Sequence, residues 1–178
     1  IALPEVFLGI IPGWGGAYLL PNLIGIENAL EVVISNPLKQ NRMLKPQQAY
    51  DYGIFDAIFP AATYLERSLA WADGVLTGAI KVERKNQPGK IERTVKWPVA
   101  VKMARGMLES KIGTVPRSPY VALDLLDKAR SGTKEEGFAR EDEALADLVT
   151  GDQFAASMYA FDLVQKRAKR PVGAPDKA

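Results

Sequence analysis

From Trp97 to Val164 the apolar residues recur every three or four positions, and over such lengths that spacing admits little but helix. Val101, Ala104, Leu108 and Ile112 form one stripe, Leu145 and Leu148 a second, and Phe154, Met158, Phe161 and Val164 a third. The punctuation agrees. Ser118-Pro119 supplies an N-cap with proline at the first helical position, and Gly132 is a stop. Thr133 and Glu136 make a capping box, and Asp152 caps the last helix. These Leu, Met and aromatic stripes are read as packing surface rather than cofactor contacts. The tail, KRAKRPVGAPDKA, is basic and proline-containing and reads as a linker.

The first part of the chain is different. Residues 1 to 11, IALPEVFLGII, read as a short strand and loop. Pro12-Gly13-Trp14-Gly15-Gly16 then breaks the pattern before an apolar helical run, Tyr18, Leu19, Leu20, Leu23 and Ile24, stopped by Gly25. A second helix starts near Glu27, turns Ala29, Leu30 and Val33 to one face, and ends at Asn36-Pro37. Pro46 starts a third that Gly53 closes. Ile54 to Phe59 is a strand or a docked loop. A fourth helix runs from about Ala62 to Thr77, with Leu65, Leu69, Ala72 and Leu76 in register and Gly78 as its stop. Residues 81 to 96 are charged, contain Pro88-Gly89, and read as a surface connection. The expected class is thus α/β in the first part and all-α beyond it, with no internal repeat.

Composition narrows the chemistry. A chain of 178 residues, 47 % hydrophobic and 25 % charged, can bury a core. Lys plus Arg number 23 and Asp plus Glu 21, a net +2 that does not make nucleic acid the main partner. Cys and His are both 0. That removes a Cys nucleophile, a Ser-His-Asp triad, a His/Cys zinc site and any disulfide. Proton chemistry falls to carboxylates, Lys or Tyr. No signal peptide pattern and no apolar run of the roughly 20 residues that span a bilayer are present, so a soluble intracellular protein is expected. The chain opens at Ile1 without an initiator Met, as a fragment would.

Glu5 has an unusual setting among Leu3, Pro4, Val6, Phe7 and Leu8. With an ordinary pKa of about 4.3, only about one Glu in 500 is protonated at pH 7, a population cost of about 3.7 kcal/mol for a general acid. Burial against Val6, Phe7 and Ile10 would raise the pKa and lessen that cost. A plain exposed Glu at a strand start is the simpler alternative. The glycine segment that follows would point backbone N–H groups and the positive end of a helix dipole outward, toward an anion, a polarised carbonyl or a water. It is neither a dinucleotide fingerprint, because the third Gly is missing, nor a phosphate loop, because no Gly-Lys-Ser/Thr follows. A tight turn with close helix packing is its structural alternative.

Leu3-Pro4-Glu5-Val6-Phe7-Leu8-Gly9-Ile10-Ile11-Pro12-Gly13-Trp14-Gly15-Gly16, followed by Leu20-Pro21-Asn22-Leu23-Ile24-Gly25 and Ala29-Leu30-Glu31, resembles the second half of the enoyl-CoA hydratase (crotonase) signature. Ala49-Tyr50-Asp51-Tyr52-Gly53-Ile54-Phe55-Asp56 is similar to a later segment of that family. The helical part, through Asp152-Gln153-Phe154 and Gln165 to Pro171, is similar to the linker of multifunctional fatty-acid oxidation proteins, where a hydratase is joined to a 3-hydroxyacyl-CoA dehydrogenase.

The resemblance implies an α/β crotonase-like fold, truncated to its mostly helical C-terminal part over residues 1–78. A charged connection (79–96), a helical linker region (97–170) and the start of a linker to a dehydrogenase (171–178) would follow. It implies that Glu5 delivers a proton to C2 of an enoyl thioester and that the Gly13 N–H helps hold the attacking water. Pro12 and Trp14 would contact substrate, with Trp14 along the acyl pocket. Tyr18, Asn22 and Asp56 take structural roles. Acyl-CoA is then the substrate. No cofactor belongs to this chain, and NAD belongs only to the dehydrogenase. Partners would be that dehydrogenase in cis and a thiolase in trans, in an oligomer that is cytoplasmic, or in the mitochondrial matrix of a eukaryote.

The family's second glutamate and its oxyanion-hole segment lie upstream of Leu3 in the pattern. Losing one oxyanion donor lowers rates by about 10² to 10³ and a missing acid–base partner by about 10² to 10⁴, so the isolated chain is expected to be inactive. Lys81, Arg84, Lys85, Lys90, Arg93 and Lys96 could meet CoA phosphates, although clustered loop charges are more simply solvated. Lys166, Arg167, Lys169 and Arg170 suit a helix C-terminus and take no ligand. Competing readings are a crotonase relative that isomerises enoyl-CoA or hydrolyses thioesters, and a non-catalytic docking or assembly module.

Overall fold

Gly25 takes φ +79°, and there helix α1 (Leu19–Ile24) gives way to α2 (Ile26–Leu30) in the computed structural model of the chain, which describes residues 1–84 and 86–169. A side chain at position 25 would also meet the Glu92 carboxylate at 2.6 Å, the same group whose Oε1 accepts from the Ile26 N–H at 3.1 Å. Glycine is needed here for both reasons. α2 does not end at Asn36-Pro37. It continues through a wide π-turn (Glu31–Ser35) into α3 (Asn36–Leu38). Proline in a regular helix collides with the carbonyl four residues back, and the wider turn over residues 31–35 relieves that contact, so the helix survives Pro37. Gln40 and Asn41, at φ +56° and +53°, finish it.

α4 (Pro46–Asp51) closes at Gly53 (φ +81°), and α5 (Tyr64–Leu76) is followed by Gly78 (φ +78°), where the sequence punctuation puts them. α5 departs in its burial. Its apolar stripe faces solvent: Leu69 is 63 % exposed and Leu76 86 %. Periodicity reveals which face is apolar and nothing about whether a partner covers it.

α6 (Trp97–Ile112) carries the centre of the core. Trp97, Val101, Ala104 and Leu108 form its buried face, packed against Leu123 and Leu126 of α7 (Arg117–Lys128) and against Ile26, Ala29 and Val33. Trp97 is fully buried, and its indole N–H donates to the Leu126 carbonyl at 3.0 Å. Arg93 lies over the same ring and donates to the Arg130 carbonyl at 3.1 Å. One hydrophobic cluster therefore takes residues from both sides of the charged connection.

α8 (Lys134–Val149) and α9 (Asp152–Lys169) complete the described helices. The Thr133–Glu136 capping box is present in both directions, at 3.2 and 3.0 Å. Ser118 does not cap α7. Pro116 already holds the extended backbone before that helix, so Ser118 falls inside the first turn and its hydroxyl reaches the Val6 carbonyl at 3.0 Å. Gly132 (φ +92°) lies in the turn ahead of Thr133, beyond the end of α7.

The strand expectation fails among the described residues. Every regular element there is helical, so the α/β crotonase-like class is met only in its helical part. A strand needs a neighbouring edge for its N–H and C=O groups. Residues 4 to 10 instead satisfy theirs locally: Phe7 and Leu8 donate to the Pro4 carbonyl, and Ile10 donates to that of Glu5 at 3.0 Å. Residues 54 to 59 are a loop rather than a strand. Lys85, Arg170 and the tail 171–178 lie outside the described residues.

Candidate active site

Glu5 sits in the tight turn that runs from Pro4 to Ile10 and is finished by Gly9 at φ +90°. Its Oε2 is buried and has no hydrogen-bond partner. Burial pushes the Glu5 carboxyl above the ordinary range, and its own backbone N–H opposes the shift only in part. An orphaned carboxyl oxygen favours the protonated form, which can give up a proton. Two helices of the second half of the chain hold this turn. Ser118 of α7 bonds Val6, and a side chain at Gly9 would meet Ser157 Oγ at 3.2 Å and the α9 backbone at 3.3 Å.

The glycine segment is a second turn. It does not open a helix directly: Trp14 (φ +53°) and Gly15 (φ +92°) are left-handed, which interrupts helical geometry until α1 begins at Leu19. Pro12 is fully buried, and a side chain at Gly16 would lie 2.5 Å from it. The Trp14 ring is 87 % exposed. Gly13 is half-buried against Leu145, whose Cδ2 would lie 3.1 Å from an added Cβ.

The expected anion site is already filled from within. Glu141 of α8, 1 % exposed, accepts from the N–H groups of Gly15 at 2.5 Å, Ala17 at 3.0 Å and Tyr18 at 2.6 Å, but not from that of Gly13. Burial raises its pKa, against the opposing effect of those three N–H groups. Gly137, one turn earlier on α8, lets the helix come this close, since a Cβ there would lie 2.2 Å from the Tyr18 ring. The sequence alone singles out neither Glu141 nor Gly137, and it reads Ser118 as an N-cap rather than as a support for Val6. Its available signal was the i, i+4 series Gly137, Glu141, Leu145, which places one carboxylate in a stripe of small and apolar residues.

Tyr18, Asn22 and Asp56 make structural contacts. The Tyr18 hydroxyl donates to the Gly132 carbonyl at 3.3 Å, and Asn22 Nδ2 donates to the carbonyls of Tyr18 (2.8 Å) and Ala129 (3.0 Å). Asp56 pairs with Arg84. A cavity of about 460 Å³ lies by that pair, lined by Tyr50, Phe55, Trp71 and Ile80. Among the described residues its cations Lys81 and Arg84 share it with Asp51, Asp56 and Glu83. Among the described residues there is no group of three or more His, Cys, Asp or Glu able to hold a metal, and no helix long and apolar enough to cross a membrane.

No family model matches the chain. The chain is similar to curated proteins of fatty acid oxidation. Among them are the peroxisomal fatty acid beta-oxidation multifunctional protein MFP2 of Arabidopsis thaliana, 26 % identical over 176 residues (96 % of this chain, 23 % of the relative); the fatty acid oxidation complex subunit alpha of Idiomarina loihiensis, 30 % identical over 165 residues (90 % and 22 %); and that of Pseudomonas putida, 29 % identical over 181 residues (99 % and 24 %). The chain spans about a quarter of the length of these relatives.

Proposed function

We propose that this chain is part of an enoyl-CoA hydratase of fatty-acid β-oxidation, adding water to a trans-2-enoyl-CoA to give a 3-hydroxyacyl-CoA. The observation that carries the reading is the buried, unpartnered carboxyl oxygen of Glu5, ahead of a glycine turn in a chain similar to fatty-acid oxidation proteins. In this reaction the water oxygen bonds C3, the C2=C3 π pair shifts to C2, and C2 takes a proton. Glu5 in its neutral form supplies that proton. A second carboxylate, elsewhere in the polypeptide that carries this chain, accepts the proton lost by the water. The Gly13 N–H orients that water and the exposed Trp14 borders the acyl group, whereas Pro12, fully buried, supports the turn and does not meet the substrate as the sequence suggests.

Within the same reading, a 3-hydroxyacyl-CoA dehydrogenase in cis, with its own NAD, oxidises the product to the 3-oxoacyl-CoA, on which a thiolase acts in trans. The test is Glu5→Gln in the natural polypeptide that carries the chain. Gln cannot give up a proton, and kcat for hydration falls about 10² to 10⁴-fold. Unchanged turnover would refute the assignment, and turnover of 3-enoyl-CoA without 2-enoyl-CoA would point to an isomerase.

A further inference from the structure

Three backbone N–H groups in the glycine turn converge on a single carboxylate that arrives from more than 120 residues away. Besides its packing, the turn has few hydrogen bonds of its own. Its own backbone bonds are Gly16 N–H to the Gly13 carbonyl at 3.0 Å and Leu19 N–H to the Gly15 carbonyl at 2.6 Å. The helix that follows has six residues, too few to persist by itself, and the side chain of Tyr18 at its N-cap makes no capping hydrogen bond. Orphan N–H groups at a helix start are ordinarily met by the cap residue. Here Glu141 meets them from outside.

We propose that Glu141 is a positioning residue of the hydratase site: its buried carboxylate holds the turn from Gly13 to Tyr18 in the shape that presents the Gly13 N–H to the attacking water. This rests on the functional reading given above. The fit is built on both sides. Gly137 removes the side chain that would keep α8 away from Tyr18, and Leu145 supports Gly13 directly. Gly13 therefore lies between a lock on Gly15 and a floor on Leu145, and it has the freedom to move only if the lock opens. Replacing Glu141 with Ala leaves the three N–H groups without their acceptor, and the glycines let the turn relax. A misplacement near 1 Å is enough to lower a rate by about 100-fold.

The experiment uses the natural polypeptide that carries this chain and compares Glu141→Ala, Glu141→Gln and, as a control, the exposed Glu143→Gln on the same helix. Hydration of a trans-2-enoyl-CoA is measured at a temperature where circular dichroism shows each variant folded. The expected result is a kcat up to about 100-fold lower for E141A, a smaller loss for E141Q (which keeps one acceptor oxygen), KM within about twofold, and E143Q unchanged. Hydrogen exchange at the amides of Gly15, Ala17 and Tyr18 accelerates in E141A. A purely structural role would lower the melting temperature and leave kcat of the folded enzyme intact, which overturns the proposal, as does unchanged exchange at those amides. Hydration lost in E5Q but kept in folded E141A overturns the positioning role alone. No hydration by the unaltered polypeptide overturns both readings together.

Discussion

The Ser118 hydroxyl donates to the Val6 carbonyl at 3.0 Å across 112 positions of sequence, and both residues are buried. A buried carbonyl stripped of its donor loses more than the bond was worth in water. Ser118→Ala is therefore expected to lower the unfolding free energy by about 1–3 kcal/mol. Urea denaturation measures it, and a loss too small to resolve would mean that Val6 finds another donor.

Trp97 and Leu69 set opposite ends of a scale. Trp97 is fully buried and hydrogen-bonded, so Trp97→Ala should remove about 3–5 kcal/mol. Leu69 belongs to an equally regular stripe but is 63 % exposed, and Leu69→Glu should change the stability of the chain by no more than about 0.5 kcal/mol. Thermal melts of the two variants side by side would show the contrast, and a strongly destabilised L69E would mean that α5 is buried in solution.

Gly137 tests the approach of α8. A methyl group there meets the Tyr18 ring, so Gly137→Ala should destabilise by about 1–3 kcal/mol despite alanine's better helix propensity. Adding Tyr18→Ala should recover part of that loss, a coupling that a double-mutant cycle reads directly. Strict additivity would place the strain elsewhere.

The two buried carboxyls bear on acid stability. Burial is the largest cause of the raised pKa at both Glu5 and Glu141, and the charge of Asp142 adds to it at Glu141. A carboxyl with a raised folded-state pKa holds its proton more tightly when folded. Its contribution is fully present below the unfolded pKa of about 4.5 and is lost as pH rises through the folded value. Glu5→Gln and Glu141→Gln do not titrate. The stability of the parent relative to each variant should thus decline as pH rises above about 4.5 and through the raised folded-state value. Denaturation curves across that range check the slope, and a rise with pH would mean that the N–H bonds to Glu141 outweigh its burial.

Local signals were legible in the amino-acid sequence and distant ones were not. The stops at Gly25, Gly53 and Gly78 and the Thr133–Glu136 box depend on residues within one turn, and all appear where expected. Ser118 looked like a cap because its neighbourhood is a cap neighbourhood, yet its acceptor is Val6. The residues from Ile1 to Ile11 have strand-like composition, but pairing needs an edge, and none meets them among the described residues. Pro37 reads as a terminator because a π-turn leaves no mark in residue propensities. Of the candidate site, Glu5 and the glycine turn were found from their neighbours. Glu141 was not, because the groups it serves lie on the far side of the sequence.

That arrangement has a consequence for anyone dividing the protein into portable pieces. A cut placed at the charged stretch, where the text of the chain invites one, would carry both bends of the candidate site into the excised piece and leave their anchors behind. Whatever is transplanted must bring the seventh, eighth and ninth helices along, because the bends and their supports are one machine part written in two distant places.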